Sequence, residues 1–452
     1  MNINDAYLRK KNIFAIPAGD FFDSDLNACF LVYSPLANQF FLALPDEVVK
    51  LDNLERTEQP NDTLKALSRY VPLKDRNPYG EGYDSTATFY LILNEKCNFS
   101  CKYCYSAEGR SKDELSLEKI FTALDYFLSN DRKAPKNRTV MFIGGGEPLL
   151  SWPLVEQTTL YAEKVAAENG IELKKELSTN GSILTPQILD FYKKHQFGIQ
   201  FSFDVIPEVQ NEQREAFDRV SSNLRQLCEN DVPCRIRSTI TELNVSRIDE
   251  MVALCHQAYP KVTSITCEPV VDPGYFTAPE IVQSFFGKFF NAFIKAQQLA
   301  NKYAIVLFST SSGAIRKLRE RFCFNMYCIT PYGTYTTCPN VSSPNETGYE
   351  SAVFGEVKDN RVLFNDEAYR ALSTKMIHTS AKCLDCWAKW NCGGGCPNQR
   401  LVYSSEIFDE ICVFMRKMLL YQLMSELSEK YRKSTGTELY AKISTVLKNR
   451  QT

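Results

Sequence analysis

The sequence predicts an α/β fold on a parallel sheet, with a smaller segment on either side of it. Three observations predict this. Between residues 86 and 300, six apolar runs alternate with amphipathic stretches. Ahead of them, residues 71–85 (VPLKDRNPYGEGYDS) form a polar stretch bearing Pro and Gly, which reads as a linker. Beyond about residue 310 the periodicity fades, and residues 323–412 hold eight cysteines among turn residues.

Taken in order, Cys29–Tyr33 and Gln39–Leu44 are strand-like runs separated by SPLAN, so residues 1–84 should carry a β-hairpin, with a helix near Asp46–Asn53. The central strands are expected at 87–94 (ATFYLILN), 138–143 (RTVMFI), 172–178 (ELKKELS), 198–203 (GIQFSF), 234–241 (CRIRSTIT) and 262–270 (VTSITCEPV). Helices alternate with them. One follows Trp152, with Pro153 in its first turn and Gly170 at its end. Thr185-Pro186 and Ser246 open two more, and a long one starts near Thr277. Six strand–helix units in series argue for parallel strands with right-handed crossovers. Six is short of a closed eight-unit barrel, so a partial barrel and an open α/β sheet both fit. Residues 413–432 (VFMRKMLLYQLMSELSEKYR) read as an amphipathic helix whose Met415, Met418 and Met424 are packing residues. The expected divisions are 1–84, 85–309, 310–413 and 414–452.

Composition limits the function. The 452 residues suffice for about two or three domains. Net charge is −2, from 52 basic and 54 acidic residues, which offers no field for nucleic acid. The first residues, MNINDAYLRKKNIF, lack the apolar core of a signal peptide, and no apolar run is long enough to span a membrane. A cytoplasmic location is expected. In a reducing compartment, 16 cysteines read as metal ligands or redox groups rather than disulfides. The three histidines, His195, His256 and His378, are too few for a mechanism built on imidazole.

Cys97-Asn-Phe-Ser-Cys101-Lys-Tyr-Cys104 is a Cys-x3-Cys-x2-Cys triplet directly after the first central strand. Loops at the carboxyl ends of parallel strands are where such sheets place active sites. Three thiolates ligate three irons of a [4Fe–4S] cubane and leave the fourth open to a chelating small molecule. A zinc site wants a fourth Cys or His, and none lies nearby.

The triplet resembles the signature of the radical S-adenosylmethionine (SAM) superfamily, and the similarity continues along residues 86–300. Gly144-Gly145-Gly146-Glu147-Pro148 follows the second strand, as that family's GGEP motif does, where the glycines let backbone approach the methionine amino group of SAM. Ser178-Thr179-Asn180-Gly181 looks like the polar segment near the ribose and methionine carboxylate, which makes Ser178 and Asn180 SAM contacts. Ser202 and Arg237 are further candidate contacts, with a solvated strand end as the plain alternative. Tyr103 matches the aromatic position near adenine. The resemblance implies a partial (β/α)6 TIM-like barrel. It also implies reductive cleavage of SAM to a 5′-deoxyadenosyl radical, fed by an electron donor such as flavodoxin or ferredoxin.

Cys323, Cys328, Cys338, Cys383, Cys386, Cys392, Cys396 and Cys412 remain. Eight thiolates satisfy two more cubanes. Their spacing, Cys-x9-Gly-x4-Cys by way of Gly333, then Cys-x2-Cys-x5-Cys-x3-Cys, then a last Cys, resembles the SPASM domain; zinc-ribbon sites are the alternative for the paired cysteines. The resemblance implies three [4Fe–4S] clusters in all. One auxiliary cluster takes Cys323, Cys328, Cys338 and Cys396, and the other Cys383, Cys386, Cys392 and Cys412. Cys29, Cys228, Cys234, Cys255 and Cys267 fall outside these patterns and are expected to be buried apolar residues.

SPASM proteins similar to this one install thioether or carbon–carbon crosslinks in ribosomally made peptides, or oxidise Cys or Ser of a sulfatase to formylglycine. Sulfatase maturases carry an Asp base directly after the cysteine that ends the Gly-x4-Cys element. Here Cys338 is followed by Pro339 and Asn340, which ranks peptide maturation first. Residues 1–84 would then receive a leader peptide, or simply cap the barrel. Asp204 and Glu268, after the fourth and sixth strands, are candidate substrate contacts or solvated strand ends. A non-enzymatic iron–sulfur or zinc scaffold is the reading from another class.

Overall fold

The computed structural model describes residues 5–19, 29–71, 82–322, 326–373, 381–443 and 445. The chain forms two compact units: Met1–Pro78 with Thr310–Phe322 and Lys375–Thr452, and Tyr79–Ser309 with Cys323–Thr374.

In the first unit, β1 (Phe14–Pro17), β2 (Phe30–Ser34) and β3 (Gln39–Ala43) form an antiparallel sheet in that order. The expected hairpin is β2–β3, in the register Phe30↔Ala43. β1 is not foreseeable, because four residues ending in Pro17 show no usable alternation. β2 is buried along its whole length because both faces of the sheet are covered. Phe14, Ile16, Leu31 and Tyr33 pack against Leu419, Leu420, Leu423 and Met424. Ala15, Phe30 and Val32 pack against Leu8, Val48, Leu64 and Leu67. The helix expected at 413–432 runs instead over Ser405–Thr435, capped where Ser404 accepts from the Ile407 N–H. Cys412 therefore sits within a helix, and Met418 and Met424 are packing residues as anticipated.

The second unit holds β4 (Thr88–Leu91), β5 (Asn137–Phe142), β6 (Glu172–Thr179), β7 (Phe197–Ser202), β8 (Cys234–Ile240), β9 (Val262–Pro269), β10 (Val306–Phe308), β11 (Tyr327–Ile329), β12 (Thr334–Thr336), β13 (Val353–Lys358) and β14 (Arg361–Phe364). They form one 11-stranded sheet in the order β10-β9-β8-β7-β6-β5-β4-β11-β12-β13-β14. β4 to β9 are the six anticipated strands. β10 joins β9, and β11 joins β4, both in parallel. Each is three residues long, too short to show a period. From β12 onward the sheet turns antiparallel. The fold is thus α/β with a large, mostly parallel sheet, as in a partial barrel.

The intervening helices begin close to where the sequence places them. Thr185 caps Pro186–Lys194 by accepting from Ile188 N–H. Pro153 lies in the first turn of Trp152–Glu168, and Gly170 beyond it takes a φ of 62°. The helix assigned to Ser246 starts later, at Ile248, with Arg247 at its cap position. There the Arg247 guanidinium pairs with Glu250 at 2.7 Å. Cys29, Cys228, Cys234, Cys255 and Cys267 are all buried. His378 and most of the 71–85 linker lie outside the described residues.

Candidate functional site

The two faces of β6–β9 differ in kind. Leu177, Ile199, Phe201, Ile236, Ile265 and Cys267 are buried on one. Ser178, Gln200, Ser202, Arg237, Thr266 and Glu268 lie on the other, partly or fully exposed. Register aligns Ser178 with Gln200, and Ser202 with Arg237 and Thr266. Since side chains alternate along a strand, the sheet turns an apolar face to the helices and a hydrophilic one inward. Four of the anticipated residues, Ser178, Ser202, Arg237 and Glu268, share that hydrophilic face.

Cys97, Cys101 and Cys104 lie on the loop after β4, all partly buried and unbridged. Burial raises the Cys101 thiol pKa, with Arg214 opposing and Cys104 and Cys97 adding to the rise. Donors reach the other two sulfurs. Arg110 Nη2 donates to Cys104 Sγ at 3.0 Å, and Asn180 Nδ2 to Cys97 Sγ at 3.8 Å. Asn180 Nδ2 also donates to Asn98 Oδ1 at 2.9 Å. A trio of thiols with N–H donors at sulfur, and no fourth thiol on the loop, suits a cubane with one open corner. Among the described residues no three His, Cys, Asp or Glu side chains converge closely enough to hold a single metal ion.

The glycine loop is packed onto the start of the cysteine loop. A Cβ on Gly146 would stand 1.7 Å from the Lys96 carbonyl oxygen, and one on Gly145 2.4 Å from that of Asn94. Gly146 N–H donates to Asn94 O at 2.8 Å, and Glu147 N–H to Lys96 O at 2.6 Å. These glycines are required first by backbone meeting backbone.

Glu147, expected from sequence to contact SAM, has a carboxylate that is buried and occupied within the protein. Oε1 accepts from Leu149 N–H at 3.1 Å and Thr179 Oγ1 at 2.8 Å, and Oε2 from Asn180 N–H at 2.6 Å. Burial raises its pKa, against the pull of those donors. The side chain braces the loop after β5 to the loop after β6. Pro148 is buried at the start of the short turn beside it.

Asp204, read from sequence as a candidate substrate contact or a solvated strand end, faces the protein interior. It has no solvent exposure. Its oxygens accept from Ser238 Oγ at 2.7 Å, Tyr103 OH at 2.9 Å and Gln213 Nε2 at 3.2 Å. Arg214 Nη1 donates to Tyr103 OH at 2.9 Å. Asp204 and Arg214 therefore fix the Tyr103 ring within the triplet loop.

Of the C-terminal cysteines, Cys328 is buried in β11 and Cys338 follows β12, both in the second unit. Cys383, Cys386, Cys392, Cys396 and Cys412 belong to the first, and Cys323 lies outside the described residues. Cys383, Cys386, Cys392 and Cys412 are near neighbours. Burial raises the Cys392 pKa, and Cys386 and Cys383 add to the rise. Burial pushes Cys412 up to about 12, with Cys392 and Cys383 adding. Arg400 Nη2 donates to Cys383 Sγ at 3.8 Å. Gly393, Gly394 and Gly395 all take positive φ (66°, 84° and 79°), which only a glycine run adopts freely.

Sequence reasoning missed Arg110, Asn94, Asn98 and Arg214. Arg110 and Arg214 stand in loops without periodicity. Asn94 and Asn98 flank or fill the triplet, and their nearness to it was the one available signal.

A parallel sheet with a polar inner face and a three-thiol loop after its first strand defines an α/β domain for an iron–sulfur cofactor. Residues 91–255 match the radical SAM superfamily, and the chain carries a radical SAM domain. Among curated proteins it is 21% identical to the radical SAM cyclopropyl synthase TigE of Paramaledivibacter caminithermalis, over 68% of this chain and 66% of that protein. It is 22% identical to the cysteine-type anaerobic sulfatase-maturating enzyme of Clostridium novyi, over 68% of this chain and 86% of the relative. Among solved structures, anSMEcpe with bound AdoMet and the Kp18Cys peptide matches with a TM-score of 0.61 at 15% identity, covering 75% of this chain and 98% of that one. Streptococcus suis SuiB bound to its precursor peptide SuiA matches with a TM-score of 0.51 at 14% identity, covering 88% and 97%. These likenesses show the fold.

Proposed function

We propose that this protein is a radical SAM enzyme that modifies a peptide. The observation that carries the reading is the triplet loop itself: three partly buried thiols, two of them receiving side-chain N–H donors, beside a glycine loop and a polar sheet face. Cys97, Cys101 and Cys104 would hold a [4Fe–4S] cluster. When bound, cluster and SAM supply one-electron cleavage to a 5′-deoxyadenosyl radical that abstracts hydrogen from substrate. The chain's own part is to hold and orient. Asp204 and Arg214 set the Tyr103 ring, and Glu147 locks the loops after β5 and β6 together. Ser178, Ser202 and Arg237 line the polar face toward SAM, and Glu268 at the end of β9 would meet the substrate. The eight C-terminal cysteines would hold two auxiliary [4Fe–4S] clusters, and a flavodoxin or ferredoxin would deliver the electron.

A peptide substrate is supported by the likeness in fold to structures holding a precursor peptide and a Kp18Cys peptide. Sulfatase maturation is the second reading, favoured by the Clostridium novyi relative. Against it stands Pro339, a residue with no acid or base, in the place where a base is wanted; its carbonyl packs beside Gly144.

The test is anaerobic reconstitution. Iron and sulfide are counted per chain, the protein is reduced with dithionite, SAM is added, and 5′-deoxyadenosine is assayed. The Cys97→Ala/Cys101→Ala/Cys104→Ala variant should lose cleavage and keep its remaining iron. Cleavage by that variant would overturn the assignment. A cysteine-bearing sulfatase peptide converted to formylglycine would replace the first reading with the second.

A further inference from the structure

Arg110 lies outside the three-cysteine motif, yet its guanidinium is the closest donor to a motif sulfur. Nη2 donates to Cys104 Sγ at 3.0 Å, and Nη1 to the Gly145 carbonyl at 2.9 Å and to that of Glu95 at 3.4 Å. One planar cation thus spans the cysteine loop and the glycine loop. The backbone beside it is pinned: a Cβ on Gly109 would meet Glu346 Oε1 at 2.7 Å and Ser343 Cβ at 2.8 Å. A side chain held at so many points does not wander.

We propose that Arg110 is a positioning residue that couples the cluster to SAM, holding the Cys104 sulfur and the glycine loop in one frame and raising the cluster's reduction potential. The inference rests on the triplet holding a cluster, as proposed above. Reduction adds negative charge to the cluster and its thiolates. A cation donating to one thiolate favours the reduced state, so the potential is higher with it than without it. The other arm of the fork fixes the Gly145 carbonyl, and hence the loop that is to receive the methionine end of SAM. Lysine keeps the charge but lacks the fork that reaches both acceptors at once.

The experiment uses the full chain, reconstituted anaerobically, as wild type, Arg110→Gln and Arg110→Lys. The cluster in question is the one whose reduced electron paramagnetic resonance signal changes on adding SAM. Its midpoint potential and its affinity for SAM are both read. Arg110→Gln should move the midpoint to a more negative value and weaken SAM binding several-fold. Arg110→Lys should leave the midpoint near wild type and still weaken SAM binding. Unchanged midpoint and affinity in Arg110→Gln overturn the proposal. If Arg110→Gln loses its iron, Arg110→Lys decides: weakened SAM binding at a near-native midpoint supports the coupling, and wild-type values for both overturn it. A wild type without any SAM-responsive cluster would instead overturn the functional reading and this inference with it.

Discussion

The Asn180 backbone N–H donates to Glu147 Oε2 at 2.6 Å, and this bond joins the ends of two neighbouring strands that both face the candidate cofactor site. Glu147 also serves Thr179 and Leu149, so one buried carboxylate satisfies three donors. Removing it leaves those donors buried and unpaired, each worth about 1–3 kcal/mol. Glu147→Ala should therefore cost about 3 kcal/mol or more. Glu147→Gln keeps one acceptor oxygen and should cost less. Urea denaturation of the three proteins gives the order. A Glu147→Ala variant as stable as wild type would show that the brace does not hold the loops.

Glycine at 146 is required by space. A Cβ there would stand 1.7 Å from the Lys96 carbonyl oxygen, so Gly146→Ala can be accommodated only by moving one backbone away from another. Overpacking of this kind costs about 1–3 kcal/mol, and backbone against backbone belongs at the upper end. Gly170 is the control. Its φ is 62°, but nothing lies within 4 Å of its Cβ position. Gly170→Ala should cost about 1 kcal/mol, from conformation alone. Thermal denaturation compares them, and iron retention should fall for Gly146→Ala only. Equal losses would mean that the close approach relaxes freely.

Much of this was legible in sequence, for identifiable reasons. β4 to β9 were readable because strands buried against helices carry long runs such as ATFYLILN. β10, β11 and β12 were not, since three residues hold no period and their pairing is decided by tertiary context. Spacing singled out the cysteine triplet and the glycine run, and the structure packs those two loops together; Ser178, Ser202, Arg237 and Glu268, chosen by their places in or after strands, share one face. The surroundings of Asp204 were not legible, because a carboxylate after a strand looks the same in sequence whether it enters a cavity or bonds Ser238 in the interior. Arg110 was invisible for the opposite reason: its role arises from folding, which brings Gly145 to it from 35 residues away.

In the first unit, the helix Ser405–Thr435 covers one face of the β1–β3 sheet. Leu423 is fully buried against Phe14, Leu31 and Tyr33. Leu423→Ala removes its methyl groups and opens a cavity, at a cost of about 2–5 kcal/mol. The exposed Val413→Ala, on the same helix, should change stability by under about 0.5 kcal/mol. Limited proteolysis should cut the β1–β3 sheet faster in Leu423→Ala than in Val413→Ala. Equal rates would place the support of that sheet elsewhere.

Glu346 gives a pH dependence whose sign is fixed by its surroundings. Oε2 accepts from the N–H groups of Ser342 at 2.6 Å and Ser343 at 3.0 Å, while buried Oε1 finds no hydrogen-bond partner among the described residues. Burial raises its pKa above 4.5, and the two N–H donors and Arg110 pull it only part of the way back. An acid whose pKa is higher folded than unfolded binds more protons in the native state. Stability is therefore complete below the unfolded value of 4.5 and declines as pH rises toward the folded one. Glu346→Gln keeps an oxygen for both N–H groups and buries no charge. It should match wild type in acid and become relatively more stable as pH rises, a gap readable from urea denaturation at about pH 5 and about pH 8. If wild type instead gains on Glu346→Gln with rising pH, the carboxylate is stabilised as an anion, and the Arg110 charge outweighs burial at that site.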